Sequence, residues 1–292
     1  MNWFSNLKGR VKTEVLLSRY TTFKIGGKAD FLIEPFDLED LKKILKKSKE
    51  NKLKVFIMGQ GSNLLVRDEG INGVVVRLNS DYFKKIKILD DCIWASSGLN
   101  LSKILQFCIK NGLSGLEFLA GIPGTLGGAL AMNAGTKEAS IGERVKEVKV
   151  MDYNGNVKRL NCDDIKFGYR DSSLKRFIIL EALLKLERKS KKDILNKIKH
   201  FQKYRRLTQE LLYPSAGCIF KNPPGFSAGE LIDACGLKGK SIGGAEVSLK
   251  HANFIINRNH ASAKDVLELI DYIQDKVKKK FNIDLELEIE VW

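Results

Sequence analysis

Histidine is scarce in this chain: three residues in 292, His200, His251 and His260, with no H-E-x-x-H pairing, so a metal-hydrolase reading has little to stand on. Cysteine is confined to Cys92, Cys108, Cys162, Cys218 and Cys235. An odd number without any C-x-x-C spacing argues against a disulfide framework, a zinc site or a redox dithiol. No metal is expected. Long apolar runs are also missing, since Phe177-Ile178-Ile179-Leu180 is interrupted at once by Glu181, far short of the ~18 residues that suggest a spanning helix. The opening MNWFSNLKGRVKTEV lacks the apolar core of a secretory signal. A cytoplasmic protein with no membrane partner is therefore the expectation. Neither internal repeats nor low-complexity tracts occur, which removes solenoids and propellers.

What is present describes an ordinary globular chain. Apolar residues make up 43% and charged residues 29%. At ~150 residues per domain the length suggests two domains, each able to bury a core. Fifty basic residues against thirty-five acidic ones leave a net charge of +15, which favours polyanionic partners: nucleic acid, acidic lipid or phosphorylated small molecules. The Lys/Arg runs at 42–54 and 185–206 raise the alternative of a nucleic-acid-binding protein. Apart from Phe201 and Tyr204, however, no aromatics are interleaved there as a stacking platform requires, and no nucleic-acid partner is expected.

The hydrophobic pattern is mixed, α and β. Asp37 is placed to cap a helix with Leu38, Leu41, Ile44 and Leu45 at helical spacing, and Lys46, Lys47 and Lys49 fall where the helix dipole favours cations. Val55–Met58 reads as a strand running into a glycine-rich turn. Further strands are expected at Gly73–Leu78, Cys92–Ser96 and Phe177–Leu186, with a helix over 101–110 that Gly112 stops. Asn154-Gly155 signals a hairpin between Val145–Asp152 and Asn156–Leu160. The basic run Glu187–Asp193 marks the expected domain boundary. Beyond it, Ser227-Ala228-Gly229-Glu230 fits a capping box, Asn253–Asn257 reads as a strand, and Ser262 caps a long amphipathic helix through Val266, Leu267, Ile270, Ile273 and Val277. The end of the chain alternates with period two: Leu285, Leu287, Ile289 and Val291 on one face; Asp284, Glu286, Glu288 and Glu290 on the other.

Two glycine segments are candidates for ligand binding. Gly59-Gln60-Gly61-Ser62-Asn63 follows a strand, and its backbone N–H groups could approach a pyrophosphate without a Cβ in the way. Position 64 is Leu, so the G-x-G-x-x-G spacing of a Rossmann fold fails, and a plain tight turn remains the other reading. The stretch from Gly121 to Gly135 (GIPGTLGGALAMNAG) is too small and too apolar for a solvated linker. It suits backbone packed against a flat ligand, or a tightly packed helix start.

Taken in order, Thr22–Asp30 (TFKIGGKAD), Gly59–Leu65 (GQGSNLL), Gly121-Ile122-Pro123-Gly124-Thr125, Gly168–Ser172 (GYRDS) and Ser215–Pro223 (SAGCIFKNP) resemble the UDP-N-acetylenolpyruvoylglucosamine reductase family, also called UDP-N-acetylmuramate dehydrogenase. The likeness continues through His251-Ala252-Asn253-Phe254 to Glu288 and covers nearly the whole chain. It implies an α+β flavoenzyme of peptidoglycan synthesis. A vanillyl-alcohol-oxidase-type FAD domain would occupy residues 1–189, and a smaller substrate domain residues 190–292, its last strand returning to the active-site cleft. FAD would be held by Gly59, Gln60, Gly61, Ser62, Asn63, Gly121, Ile122, Pro123, Gly124, Thr125 and Gly128. NADPH would reduce it, and UDP-N-acetylglucosamine enolpyruvate would accept the hydride. Another FAD oxidoreductase on the same fold is the alternative among enzymes, and no obligate protein partner is evident.

The same resemblance assigns Arg170 and Glu288 to the substrate carboxylate and enolate, and Cys218 to proton donation. A guanidinium suits a carboxylate because it pairs with both oxygens and stays charged. By its residues alone Arg170 reads equally as a surface ion pair with Asp171 or another neighbour, and Glu288 as one of a solvated acidic row. Cys218 stands where the family more often has Ser; a thiol, with a reference pKa of ~8.5, releases its proton more readily than an alcohol. Its plain reading, like that of the other four cysteines, is a small buried hydrophobe. Lys221 and Asn222 are expected to contact the UDP portion, the first by charge and the second as donor and acceptor. His251 is expected to be structural, buried and hydrogen-bonded.

Overall fold

A computed structural model describes residues 3–292. In chain order the elements are β1 (Arg10–Leu16), β2 (Lys28–Glu34), α1 (Leu38–Glu50), β3 (Lys54–Ile57), β4 (Leu64–Leu65), β5 (Ile71–Val76), β6 (Ile86–Leu89), β7 (Cys92–Ser96), α2 (Leu101–Asn111), β8 (Leu113–Ser114), α3 (Leu126–Ala131), β9 (Val145–Met151), β10 (Val157–Asn161), β11 (Phe167–Gly168), β12 (Asp171–Ser172), β13 (Ile178–Lys185), β14 (Glu187–Arg188), α4 (Lys191–Thr208), β15 (Ser215–Cys218), α5 (Ala228–Ala234), β16 (Ser241–Ile242), β17 (Ala245–Val247), β18 (Phe254–Asn257), α6 (Ala263–Phe281) and β19 (Glu290–Val291). Among the described residues no helix is long and apolar enough to cross a membrane.

The chain forms two compact units. The first comprises Met1–Thr13, Phe31–Gly59 and Gly73–Tyr204; the second comprises Glu14–Asp30, Gln60–Asn72 and Arg205–Trp292. This division differs from the boundary expected at 189/190. The hydrophobic spacing of α4 explains the later exit from the first unit, since Ile194, Ile198 and Phe201 pack into the first unit's core and keep that helix with it.

In the first unit an antiparallel sheet runs β10-β9-β13-β7-β6. Ile93 and Ala95 of β7, Val148 and Val150 of β9, and Ala182 and Leu184 of β13 share a buried core with Ile104, Leu105 and Cys108 of α2 and with Leu126, Ala129 and Leu130 of α3. Gly112 ends α2 in the left-handed region, at φ 63°, where an L side chain is strained. The hairpin at Asn154-Gly155 forms, but with residues 152–156 between the paired strands. Asp152 accepts from the N–H groups of Asn154 and Asn156, which sustains this longer connection. Asp37 caps α1 by accepting from Asp40 N–H at 2.8 Å. Leu41, Ile44 and Leu45 of that helix pack with Val74, Val76, Met151 and Ile178.

In the second unit the sheet order is β15-β18-β17-β16. Helix α6 buries Val266, Leu269, Ile270, Ile273 and Val277 in its core, and Ser262 with Asp265 forms a complete capping box at its start. Ser227 caps α5 by accepting from Glu230 N–H. The period-two tail is strand only at Glu290–Val291, which pairs in parallel with β4, plus one bridge from Leu287 to Phe220. Its alternation nevertheless holds in burial: Leu285 and Ile289 are in the core, while Asp284, Glu286 and Glu290 are exposed.

Candidate functional site

Gly59, which opens the first glycine segment, meets the second segment within the first unit. Thr125 caps α3 by accepting from Gly128 N–H at 3.3 Å, and a methyl group on Gly59 would stand 2.7 Å from the same Thr125 hydroxyl. Only glycine fits position 59 while that cap is kept. Gly121 sits at φ 81°, the turn that delivers Ile122, Pro123 and Gly124 to the helix start. The stretch is thus a helix start, as one reading held, and its leading edge is bare backbone. Gly128 is exposed and a methyl there would meet only Thr125 Oγ1, at 3.6 Å. The buried hydroxyl of Ser97, next to Gly127, has no hydrogen-bond partner among the described residues. A cradle without side chains fits a dinucleotide held largely through backbone groups.

Residues Gln60, Gly61, Ser62 and Asn63 belong to the second unit. Gly61 lies at φ 63°, and a side chain there would strike Tyr20 O at 2.6 Å. Its carbonyl accepts from Thr22 N–H at 3.1 Å, and the Thr22 hydroxyl donates to Ser215 O at 2.8 Å. The first motif of the sequence is therefore the brace of the second and the fifth. Asn63 Nδ2 donates to Glu288 O at 2.9 Å, which ties this turn to the carboxylate segment.

Arg170, in the first unit, occupies with Tyr169 the two-residue turn of the hairpin formed by β11 and β12. Its backbone is left-handed, at φ 53°, a conformation uncommon for a residue with a Cβ. The side chain is half-buried, with its guanidinium 5.3 Å from the Tyr169 ring centre. Asp171, a possible partner on the sequence reading, is engaged by Lys175 at 3.1 Å. Asn133 holds the turn in place: its Nδ2 donates to Gly168 O at 2.8 Å and its Oδ1 accepts from Gly142 N–H at 3.0 Å. This buried residue was not singled out by sequence reasoning. Its position in a run of small residues, where a lone carboxamide has no apolar role, was the available signal.

Cys218 and Glu288 come together in the second unit. Residues 286–288 run antiparallel to 219–221: Glu288 N–H donates to Ile219 O, Lys221 N–H donates to Glu286 O, both at 2.8 Å, and Leu287 bridges Phe220. A register shift between Ser215 and Cys218, with Gly217 at φ 80°, kinks β15 just before the thiol-bearing residue, which rejoins the ladder opposite Phe254 of β18. Asn253 fixes this turn from behind. Buried, it exchanges hydrogen bonds with the backbone of Phe220 (2.9 and 2.8 Å) while its carbonyl accepts from Ile219 N–H. It too escaped sequence reasoning except as part of a motif. Glu288 is half-buried, unlike exposed Glu286 and Glu290, so the acidic row is not uniform.

Lys221 forms an ion pair with Glu286 at 3.4 Å, and Asn222 Oδ1 accepts from Ala228 N–H, bracing the start of α5. His251 is hydrogen-bonded as expected but only half-buried: its Nδ1 accepts from Asn253 N–H at 3.2 Å, and desolvation pushes its pKa below the ordinary value. The uniform expectation for the remaining cysteines needs correction. Cys92 and Cys108 are buried, and burial, with Glu117 nearby, pushes the Cys108 thiol up to about 12. Cys162 is exposed and Cys235 half-buried, because one sits on a short 3-10 turn of the surface and the other at the end of α5. Among the described residues no group of three or more His, Cys, Asp or Glu side chains could hold a metal ion.

Residues 29–161 match the FAD binding domain family, and residues 209–292 match the family described as UDP-N-acetylenolpyruvoylglucosamine reductase, C-terminal domain. With the cradle described above, these matches define an α+β, FAD-dependent oxidoreductase with a vanillyl-alcohol-oxidase-type flavin domain. A solvent-stable cholesterol oxidase, 17% identical with a TM-score of 0.50 over 63% of this chain and 39% of its own, shares the fold alone. The chain belongs to the UDP-N-acetylenolpyruvoylglucosamine reductase family. It is 46% identical to the family member of Clostridium tetani, covering 96% of this chain and 91% of that one, and 46% identical to that of Moorella thermoacetica, covering 99% and 95%. The crystal structure of the reductase (MurB) from Thermus caldophilus superposes with a TM-score of 0.83 at 39% identity, covering 98% of this chain and 99% of the other.

Proposed function

We propose that this protein reduces UDP-N-acetylglucosamine enolpyruvate to UDP-N-acetylmuramate at the expense of NADPH, as a cytoplasmic step of peptidoglycan precursor synthesis. A bound FAD would supply the hydride transfer from NADPH to the terminal methylene carbon of the enolpyruvyl group. The residues assigned to hold it are Gly59, Gln60, Gly61, Ser62, Asn63, Gly121, Ile122, Pro123, Gly124, Thr125 and Gly128. The chain's remaining task is to manage charge and a proton at the neighbouring carbon. Arg170 pairs with the substrate carboxylate, where negative charge grows as the double bond is lost. Cys218 Sγ gives its proton to that carbon and recovers one from solvent. Glu288 orients and polarises the reacting group beside the thiol, and Lys221 and Asn222 face the UDP portion.

The observation that carries this reading is the backbone pairing that sets Glu288 against the Cys218 turn, two residues seventy positions apart in a chain that belongs to this family. Rapid mixing of FAD-loaded protein tests it. NADPH should bleach the flavin, and the enolpyruvyl substrate should restore its colour with formation of UDP-N-acetylmuramate. Flavin reduction without reoxidation by that substrate would return the protein to the status of a generic flavin reductase.

A further inference from the structure

Helix α3 carries the flavin cradle at its start, where Thr125 caps it and Gly128 lies exposed. The helix is six residues long, about 9 Å along its axis at ~1.5 Å per residue. A helix end leaves carbonyl groups without intrahelical donors. Residues just beyond this end serve three of them: Met132 N–H donates to Gly128 O, Ala134 N–H to Ala129 O and Asn133 N–H to Leu130 O, at 3.1, 2.8 and 3.3 Å. The last carbonyl, Ala131 O, accepts from a distant side chain, the hydroxyl of Ser172, at 2.9 Å, and that hydroxyl also lies 2.9 Å from Leu130 O.

Ser172 belongs to β12, two positions beyond Arg170. It is 4% exposed and its hydroxyl is fully engaged: the proton is shared between the two α3 carbonyls, and the oxygen accepts from Leu174 N–H at 3.3 Å. Ser172 pairs with Phe167 and Asp171 with Gly168 across the hairpin, so a displacement at Ser172 is passed to the Tyr169-Arg170 turn. On the opposite strand, Gly168 O accepts from Asn133, two residues past α3. Both strands of the Arg170 hairpin are thus fastened to the end of α3.

We infer that Ser172 is a positioning residue: by capping the C-terminal end of α3 it registers Arg170 to the flavin cradle at the other end of the same helix. The inference rests on the reading of Arg170 as the partner of the substrate carboxylate. A hydride acceptor must be held in register with its donor, and a misplacement of ~1 Å costs ~10²-fold in rate. Here one short helix sets that register, fixed at its start by Thr125 and at its end by Ser172. The Ser172 hydroxyl is spent on α3 and Leu174, so it acts through Arg170 and not on the substrate.

The test is stopped-flow absorbance of the flavin in FAD-loaded S172A, R170M and the double variant. S172A should take up FAD and be reduced by NADPH within about twofold of the parent rate, while the second-order rate constant for reoxidation by the enolpyruvyl substrate falls roughly 10- to 100-fold, mostly through a higher half-saturating concentration. Some stability is lost in either background because Ala131 O is left without this donor, so the kinetic non-additivity decides. Added to R170M, S172A should slow reoxidation no further, because the group it positions has gone. The same loss in both backgrounds would show that the hydroxyl supports the fold at large and would overturn the inference, as would parent-like reoxidation in S172A, an equal slowing of reduction by NADPH, or loss of FAD uptake. Parent-like reoxidation in R170M would remove the assignment of Arg170, and the inference with it. If S172A does not fold, S172C keeps the volume while weakening the donor, and the same comparison applies. A chain that folds with neither would overturn the inference by making the hydroxyl a requirement of folding.

Discussion

Replacing Cys218 by alanine isolates protonation from hydride transfer. Cys218 ends β15 at a register shift, with its neighbours held by main-chain hydrogen bonds: Ile219 N–H to Asn253 O, and Glu288 N–H to Ile219 O. The substitution deletes Sγ and leaves those bonds, so the half-buried site should cost less than about 1 kcal/mol of stability. The loss of a positioned acid slows proton transfer by ~10² to 10⁴, or about 2.7 to 5.4 kcal/mol of activation free energy. Stopped-flow absorbance of the flavin reads both halves separately. Reduction by NADPH should stay nearly intact, since no substrate proton moves there, and reoxidation by the enolpyruvyl substrate should fall by that factor. Cys218→Ser should recover much of the rate, because a hydroxyl can occupy the same place. In heavy water, the alanine variant should exchange deuterium into the substrate methylene, because an intermediate awaiting its proton can reverse. An undiminished reoxidation rate in Cys218→Ala would remove the thiol from the chemistry and leave it a packing residue.

The remaining expectations are narrower. Glu288→Gln should slow reoxidation at least about tenfold while Glu286→Gln and Glu290→Gln change either half-reaction little; equal small effects in all three would mark a solvated face. Gly59→Ala forces a methyl into the Thr125 hydroxyl, an overpacking worth about 1–3 kcal/mol that should weaken FAD binding roughly tenfold, whereas Gly155→Ala at φ 89° should cost about 1 kcal/mol in urea unfolding and spare FAD. Normal flavin content in folded Gly59→Ala would contradict that cradle. At pH 8 a thiol reagent should label exposed Cys162 first and Cys108 last, so inhibition through Cys218 is to be measured in a Cys162→Ser background; rapid labelling of Cys108 would refute its raised pKa. Burial lowers the pKa of His251, so the unfolded chain binds its proton first: the stability from neutral His251 is full above about pH 6.5 and is lost as pH falls from there through the lowered folded value. His251→Asn, which can keep an acceptor for Asn253 N–H, should flatten that fall in urea midpoints, and an unchanged slope would refute it.

Local signals in the sequence located most elements because they are decided locally. Asp37 and Ser262 cap the helices they were expected to cap, Gly112 ends α2 in the left-handed region, and Cys92–Ser96 is strand over the expected span. What local signals cannot carry is the return of the chain from one compact unit to the other. Residues 14–30 and 60–72 have no composition that sets them apart, yet they cluster with the carboxy-terminal part. Their place is decided by distant partners: Thr22 on Ser215, Asn63 on Glu288, and Asp68, whose carboxylate accepts from the N–H groups of Ala263 and Lys264 at the start of α6. A boundary drawn at a basic run follows charge, whereas the compact units follow the apolar seam of α4, and the seam ends later.

The candidate site shows the same division between residue and register. Periodicity placed Glu286, Glu288 and Glu290 on one face and could not choose among them, because alternation is a property of a strand taken alone. The choice becomes physical only when residues 286–288 are laid against 219–221. That pairing half-buries the middle carboxylate beside Cys218, engages Glu286 with Lys221, and leaves Glu290 to the next pairing, with β4. The roles of Asn133 and Asn253 were hidden for a related reason: each uses a carboxamide to hold a distant main-chain turn, Gly168 in one case and Phe220 in the other, so those roles exist only in the folded chain. Arg170 and Cys218, the residues proposed to act on the substrate, therefore sit on turns that are irregular locally and fixed by long-range carboxamide bonds. Substituting either asparagine should disturb the geometry of Arg170 or Cys218 before it disturbs the sheets that carry them.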